Sequence, residues 1–413
     1  MHSFVGYIDP GTGSMLLTVI LSVVTALVFV FRGVFIKLKI RIQGGNVKSY
    51  NTKIPCIIFS DSKRYWNVFE PICDEMERRE MECQYWTASP DDPALSRDYL
   101  HVKTEFIGEG NKCFARLNLM KANICLSTTP GLDVLQWKRS KDTDWYVHVF
   151  HALDDGTMYR MFGLDHYNAI LANGNSQIPK TRELETLRHI PEREIVITGS
   201  TYLDELKKRQ QELLADADTA RDGKVILLAP SWGASSILNK YGADFIEALV
   251  STGYRIIIRP HPQSKTADPQ LLEDLQKRFP DSDMLEWNYD NDNFRVLSMA
   301  DLLISDFSGV IFDFSFIFDR PIIYADTEYD TSPYDASWIE EEPWLLHTLP
   351  RLGKKLDEKD FGNMKEIIDD VLTNDLYSKG REESRKEGWD HVGEAAVRVV
   401  DYIEGKLRQL QEG

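Results

Sequence analysis

The feature that most constrains this chain is a rhythm: short apolar runs recur along it, and each is followed by a stretch with helical spacing. Ile54 to Ser60 reads as a buried strand and Trp66 to Glu80 as the helix after it. Further strands are expected at Asn123–Ser127, Trp145–Phe150, Ala169–Ala172 and Glu194–Ile197. Leu203 to Arg221 is a charged helical stretch, and Asp222-Gly223 reads as a hinge. The rhythm then restarts at Lys224–Pro230 and runs through Tyr254–Ile258, Leu302–Ser305 and Pro321–Tyr324. A closing helix is expected from Gly393 to Gln411, with Ala396, Val397, Val399, Val400 and Ile403 on its apolar side. Strands that are apolar on both faces and alternate with helices imply parallel sheets covered on both sides. The economical architecture is α/β, with two doubly wound lobes facing a cleft. Ligands should then bind at the carboxyl ends of the strands.

Ahead of these lobes lies a different signal. Met15 to Phe31 is seventeen residues without a charge, and Val34-Phe35-Ile36 extends it. With flanking residues this reaches a hydrocarbon span of roughly 30 Å, so a transmembrane helix is expected over about 15–36. No Lys or Arg precedes it, whereas Arg32, Lys37, Lys39, Arg41, Lys48 and Lys53 follow. The positive-inside rule therefore expects a single-pass protein of the cell membrane with its lobes cytoplasmic. The expected division is a membrane anchor with a basic juxtamembrane segment at 1–45, a first lobe at 46–215 and a second at 216–413. A net charge of −17 argues against a nucleic-acid partner but leaves room for a local phosphate pocket. Cys56, Cys73, Cys83, Cys113 and Cys125 form no C-x-x-C pair and read as reduced, buried thiols.

Several strand exits carry residues suited to chemistry. Arg259-Pro260-His261-Pro262 leaves the strand at 254–258, and two prolines stiffen it. It is either a polar clamp for phosphate or a rigid turn whose His is merely solvated. Ser305-Asp306-Phe307-Ser308-Gly309 joins a strand to the apolar helix that holds Asp313. Free amides and hydroxyls at a helix start make an anion site, and N-capping by Asp306 or Ser308 is the alternative, compatible reading. His151 follows the strand at 145–150 and has the chemistry of a general base, with Asp154 and Asp155 beside it either as supports or as loop charge. Pro230-Ser231-Trp232-Gly233 and Gly199 to Asp204 are further strand-exit loops. The chain has no Walker, dinucleotide, zincin or serine-hydrolase signature, and no carboxylate cluster specifies a metal, although a divalent cation is compatible with phosphate chemistry.

Taken together, these motifs resemble the CDP-glycerol glycerophosphotransferase family, the teichoic-acid primases and polymerases. Arg259 to Pro262, Ser305 to Ser308 and Phe312-Asp313-Phe314 running on to Tyr324 carry the resemblance. Ala229 to Trp232, Gly199 to Leu206 and Gly393 to Ile403 add to it. The resemblance implies a GT-B-like fold, with a CDP-alditol such as CDP-glycerol in the second lobe and a lipid-linked acceptor near the first. It places Arg259, His261, Ser305, Asp306, Ser308, Gly309, Pro230 and Ser231 at the donor phosphates. It makes His151 the base on the acceptor hydroxyl and leaves Asp154, Asp155 and Asp313 as supports. The chain departs from the family at Ala152, where Gly is usual, at Gly233, where a cation is common, and at Gly309, where a second Ser is common. A glycosyltransferase using a nucleotide sugar shares the two-lobe plan, and a non-catalytic membrane scaffold of the same fold is the third reading.

Overall fold

A computed structural model describes residues 53–215, 223–290 and 292–412. The expected membrane segment at 15–36 and Asp222 of the expected hinge lie outside the described residues. Among the described residues, no helix is long and apolar enough to cross a membrane.

Two all-parallel sheets form the frame. The first has seven strands: β1 (Ile54–Ser60), β2 (Cys83–Thr87), β3 (Val102–Phe106), β4 (Lys121–Ser127), β5 (Asp142–Val149), β6 (Ala169–Ala172) and β7 (Glu194–Ile197). The second has six: β8 (Val225–Leu228), β9 (Arg255–Ile258), β10 (Leu285–Trp287), β11 (Leu302–Ser305), β12 (Ile322–Ala325) and β13 (Lys354–Leu356). Their spatial orders are β3-β2-β1-β4-β5-β6-β7 and β10-β9-β8-β11-β12-β13. Each chain path winds outward from a central strand, then returns to wind the other way. The switch points fall between β1 and β4 and between β8 and β11, which opens a crevice at the carboxyl ends of those strands.

The side-chain period of two explains why both faces are apolar. Ile257, Leu227, Leu303 and Ile322 lie in register across the second sheet and join one core cluster. Their neighbours Ile256, Ile226, Leu302 and Ile323 join the cluster on the opposite face. Edge strand β3 instead exposes Lys103 and Glu105, charges that blunt an open edge. The helix Trp66–Arg78 buries Trp66, Phe69, Ile72, Cys73 and Met76, positions one helical face brings together. All five cysteines are free and buried, as their scattered spacing suggested.

The chain does not finish where the strand pattern placed it. The closing helix Ala395–Glu412 was expected with the second lobe, but Val399, Val400 and Ile403 enter the core of the first, beside Phe69 and Ile72. Asp204 fixes its start, accepting hydrogen bonds from the Gly393 and Ala395 amides at 2.8 and 3.0 Å. Gly199 makes that return possible. It has φ +87°, and a Cβ there would lie 2.6 Å from the Asp390 carbonyl oxygen. The lobes are also stitched nearer the cleft. Asp155 accepts from the Trp344 amide at 2.7 Å, and Asp335 accepts from the Phe162 amide at 2.7 Å.

Candidate active site

Between the two switch points lies a cleft of about 580 Å³. His151, Ala152, Arg64, Tyr65 and Arg160 line it from the first lobe, and Pro230, Trp232, Arg259, His261, Ser308, Gly309 and Asp313 from the second. Of the residues singled out in the sequence, His151, Arg259, His261, Ser308, Gly309, Pro230 and Asp313 therefore share one cavity. Ser305, Asp306, Ser231, Asp154 and Asp155 are not among its lining residues.

His151 sits two residues beyond the end of β5. Its Nδ1 and the Thr128 hydroxyl are 2.8 Å apart, a hydrogen bond whose direction follows the tautomer. Tyr65 packs against the ring at 4.6 Å between centroids. Burial, together with the facing Arg64 guanidinium, pulls His151 down to about 4, so the ring is neutral at pH 7. When Nδ1–H donates to Thr128, Nε2 carries the lone pair needed to accept a proton. Ala152, where the resemblance expects Gly, is not among the residues with positive φ. The backbone here does not ask for glycine.

His261 has the opposite polarity. The Gln263 amide donates to its Nδ1 at 3.1 Å, so in the neutral ring Nε2 carries the hydrogen. Burial, with Arg64 and then Arg259, pulls it down to about 4 as well. His261 is therefore a neutral N–H donor, stacked 6.3 Å from the Trp232 ring. Arg259 is fixed beside it by Asn288 and by a 2.7 Å hydrogen bond to the Asp290 carbonyl. Burial lowers the Arg259 pKa from its usual value, yet an arginine so lowered still carries its charge at pH 7.

Asp306 and Ser305, expected at the donor phosphates, work behind the wall instead. Asp306 is wholly buried and accepts from the Ser231 and Ile237 amides at 2.8 and 3.0 Å. Burial pushes its carboxyl up to about 6 against the pull of those amides. Ser305 donates to the Ala229 carbonyl at 2.7 Å. Both side chains tie the loop after β8 to the loop after β11, and Ser231 enters through its amide alone. A carboxylate aimed into a phosphate pocket would repel its ligand, whereas one turned onto amides shapes the pocket without that cost. Ser308 and Gly309 remain at the cavity, at the start of the helix Val310–Phe318. Gly309 has open space where a Cβ would stand.

Asp155 caps the helix Trp344–Leu352 from the other lobe, and Asp154 accepts from the Gly156 amide at 2.9 Å. Burial, then the neighbouring Asp155, pushes Asp154 up to about 6. Neither contacts His151 among the hydrogen bonds of the described residues. Asp313 receives hydrogen bonds from the Tyr202 hydroxyl at 3.0 Å and the Asn293 amide at 3.3 Å, and burial pushes it up to about 7. Among the described residues no group of three or more His, Cys, Asp or Glu side chains is placed to hold a metal ion.

Strand reading missed Arg64, Tyr65, Arg160 and Asn293. The signal for Arg64 was present: Ser60-Asp61-Ser62-Lys63-Arg64 leaves β1 at the carboxyl end, like the exits that were singled out.

Residues 165–337 match the model of the CDP-Glycerol:Poly(glycerophosphate) glycerophosphotransferase family. Over that stretch the chain is similar to a glycerophosphotransferase-type transferase. The matched glycerophosphotransferase stretch takes in the exits of β8, β9 and β11, while Arg64 and His151 lie before it. No curated protein matches the chain. Among solved structures, the wall teichoic acid polymerase TagF soaked with CDPG superposes with TM-score 0.57 at 15% identity, covering 93% of this chain and 98% of its own. The S. aureus MnaA–UDP co-structure gives 0.57 at 13%, covering 86% and 97%. The UDP-GlcNAc 2-epimerase from Neisseria meningitidis bound to UDP-GlcNAc gives 0.53 at 12%, covering 85% and 99%. At such identities these neighbours establish the GT-B-like two-lobe fold and nothing finer.

Proposed function

We propose that this protein transfers glycerol phosphate, or a related alditol phosphate, from a CDP-linked donor to a hydroxyl of a lipid-linked glycan or teichoic-acid-like polymer, releasing CMP. The observation that carries this reading is the meeting, in one cleft, of a proton-accepting His151 with the N–H of His261, the Arg259 guanidinium and the helix start at Ser308-Gly309.

The division of labour follows from the tautomers. His151 Nε2 takes the proton of the acceptor hydroxyl, whose oxygen forms a bond to the β-phosphorus. The bond from that phosphorus to the oxygen bridging the two phosphates breaks, and CMP leaves with the electron pair. His261 Nε2–H, Arg259 and the amides at Ser308-Gly309 stabilise the charge on the phosphate oxygens. His151 then returns its proton to solvent. Positioning and charge stabilisation supply most of the acceleration in such transfers. The donor half would occupy the second lobe and the acceptor half the first, so the expected division at 46–215 and 216–413, with the closing helix Ala395–Glu412 moved to the first lobe, would also divide the substrates. The apolar segment at about 15–36 would hold the lobes at the cytoplasmic membrane face, where a lipid-linked acceptor presents its hydroxyl.

The test is calorimetric titration of CDP-glycerol, CDP, UDP and GDP into the full chain in detergent, with His261→Ala as control. Binding selective for the cytidine ligands and weakened in the variant is the expected result. Preference for a uridine or guanosine ligand would overturn the donor assignment in favour of a sugar transferase.

A further inference from the structure

Arg64 stands out by what it lacks. Arg78, Arg79, Arg97 and Arg116, its neighbours on the first lobe, each close a salt bridge with a carboxylate. In a chain with a net charge of −17, Arg64 closes none with any described carboxylate, although it lines the cleft. Its guanidinium lies over the Tyr65 ring, 5.3 Å from the centroid, and His151 packs 4.6 Å from that same ring. It belongs to the exit of β1, the strand at the first sheet's switch point. The second lobe's cation, Arg259, is by contrast committed to Asn288 and the Asp290 carbonyl.

We propose that Arg64 is a catalytic contact of the first lobe: its guanidinium reaches across the cleft and binds the oxygens of the phosphoryl group in transit between His151 and His261. This deepens the transfer reading above and rests on it for the identity of the donor. The electrostatics agree with the placement. After burial, Arg64 is the strongest influence holding down both imidazoles, and at His261 it outweighs Arg259. A cation that faces both rings faces the space a phosphoryl group must cross. The guanidinium fork suits two phosphate oxygens at once, and because Asp61 feels its charge without closing a salt bridge, it has no direct ion pair to break on binding. Because it comes from the opposite lobe, it also makes the donor's charge compensation depend on the two lobes facing each other.

The experiment uses the full chain in detergent and two readouts. Inorganic pyrophosphate and CMP are titrated into wild type, Arg64→Ala and Arg64→Lys, and CMP release from CDP-glycerol is followed with a synthetic lipid-linked glycan acceptor. Arg64 is exposed, so neither variant removes core packing. In Arg64→Ala, pyrophosphate should bind about 10-fold more weakly, CMP should be affected less, and kcat should fall about 100-fold with a smaller change in KM. Arg64→Lys should recover pyrophosphate binding but only part of kcat, because the charge returns without the fork. Arg64→Ala that binds pyrophosphate as wild type does and turns over at the wild-type rate would overturn the proposal and leave the donor reading standing. Pyrophosphate binding that depends on Arg64, with no CMP released by wild type, would instead sink the donor reading and keep the anion contact. Wild type that binds neither pyrophosphate nor CMP would overturn both.

Discussion

The two walls of the cleft are built on opposite plans. In the second lobe each loop is tied to another: Asp306 holds the amides of Ser231 and Ile237, Ser305 holds Ala229, and Arg259 is fixed by Asn288 and Asp290. In the first lobe, Arg64 and Arg160 line the same cleft with no ion pair to a described carboxylate, and His151 is held through one hydrogen bond and ring contacts with Tyr65 and Tyr159. The difference teaches where rigidity serves and where freedom does. A small donor with two phosphates repays a pre-shaped pocket, since pre-organisation cuts the cost of ordering it. A long acceptor that has to enter and leave is better met by side chains that can rearrange. The matched family stretch, 165–337, takes in the loops of the rigid wall along with β6 and β7 of the first sheet, and leaves His151 and Arg64 outside.

The largest expected effect separates the walls by function. His151→Ala should cut CMP release by roughly 10²–10⁴-fold while the affinity for CDP-glycerol stays within about twofold. His261→Ala should lose roughly 10²–10³-fold in turnover and weaken donor binding too. Equal losses of donor affinity in the two variants would erase the proposed division of substrates.

A second, intermediate effect tests rigidity. Asp306→Ala leaves two buried backbone amides without a partner, at about 1–3 kcal/mol each, and should lower the unfolding free energy measured in urea by about 2–6 kcal/mol. Donor affinity should drop with it, because the loops after β8 and β11 lose their tie. An Asp306→Ala protein of unchanged stability would mean that the second wall is not held in the way described.

The smallest effect is read in pH. Burial raises Asp313 to about 7, so the folded state binds its proton more tightly than the unfolded chain does. Its contribution is fully present below the ordinary carboxylate value of about 4 and is lost as pH rises through about 7. His151 and His261, both lowered to about 4, act in the other direction: their contribution is present above the ordinary imidazole value of about 6.5 and is lost as pH falls through 4. The difference in unfolding free energy between wild type and Asp313→Asn cancels the histidines. That difference should decline between pH 4 and 7 and level off above. A flat difference over that range would remove the claim that the Tyr202–Asn293–Asp313 cluster holds a proton.

Much of the frame was legible residue by residue. The apolar runs at Ile54–Ser60, Ala169–Ala172, Glu194–Ile197 and Leu302–Ser305 are strands with the bounds read from the sequence. Those of β1, β6 and β11 were visible because strands buried on both faces are apolar throughout, and half-buried β7 through its Ile195-Val196-Ile197 run. Strands β2, β3, β10 and β13 escaped notice. Gln84 in β2, the charges of edge strand β3, Glu286 in β10 and the lysines of β13 break the apolar pattern. At the cleft, strand-exit logic found His151, Arg259, His261, Ser308 and Gly309, because chemistry at the carboxyl ends of parallel strands follows from the fold class alone.

What the sequence determined, then, is which segments pair and which ends carry polar residues, since both are properties of local pattern and chain direction. What only the tertiary structure decided is which way each polar side chain turns. Asp306 and Ser308 stand two positions apart on one loop, yet one faces buried amides and the other the cleft. Arg64 and His261 are far apart in sequence and on loops of different sheets, yet after burial the charge of one weighs most on the other's proton. The closing helix leaves the second lobe to complete the core of the first. Orientation and partnership across lobes depend on distances between segments remote in the chain, and a one-dimensional pattern holds no record of those distances.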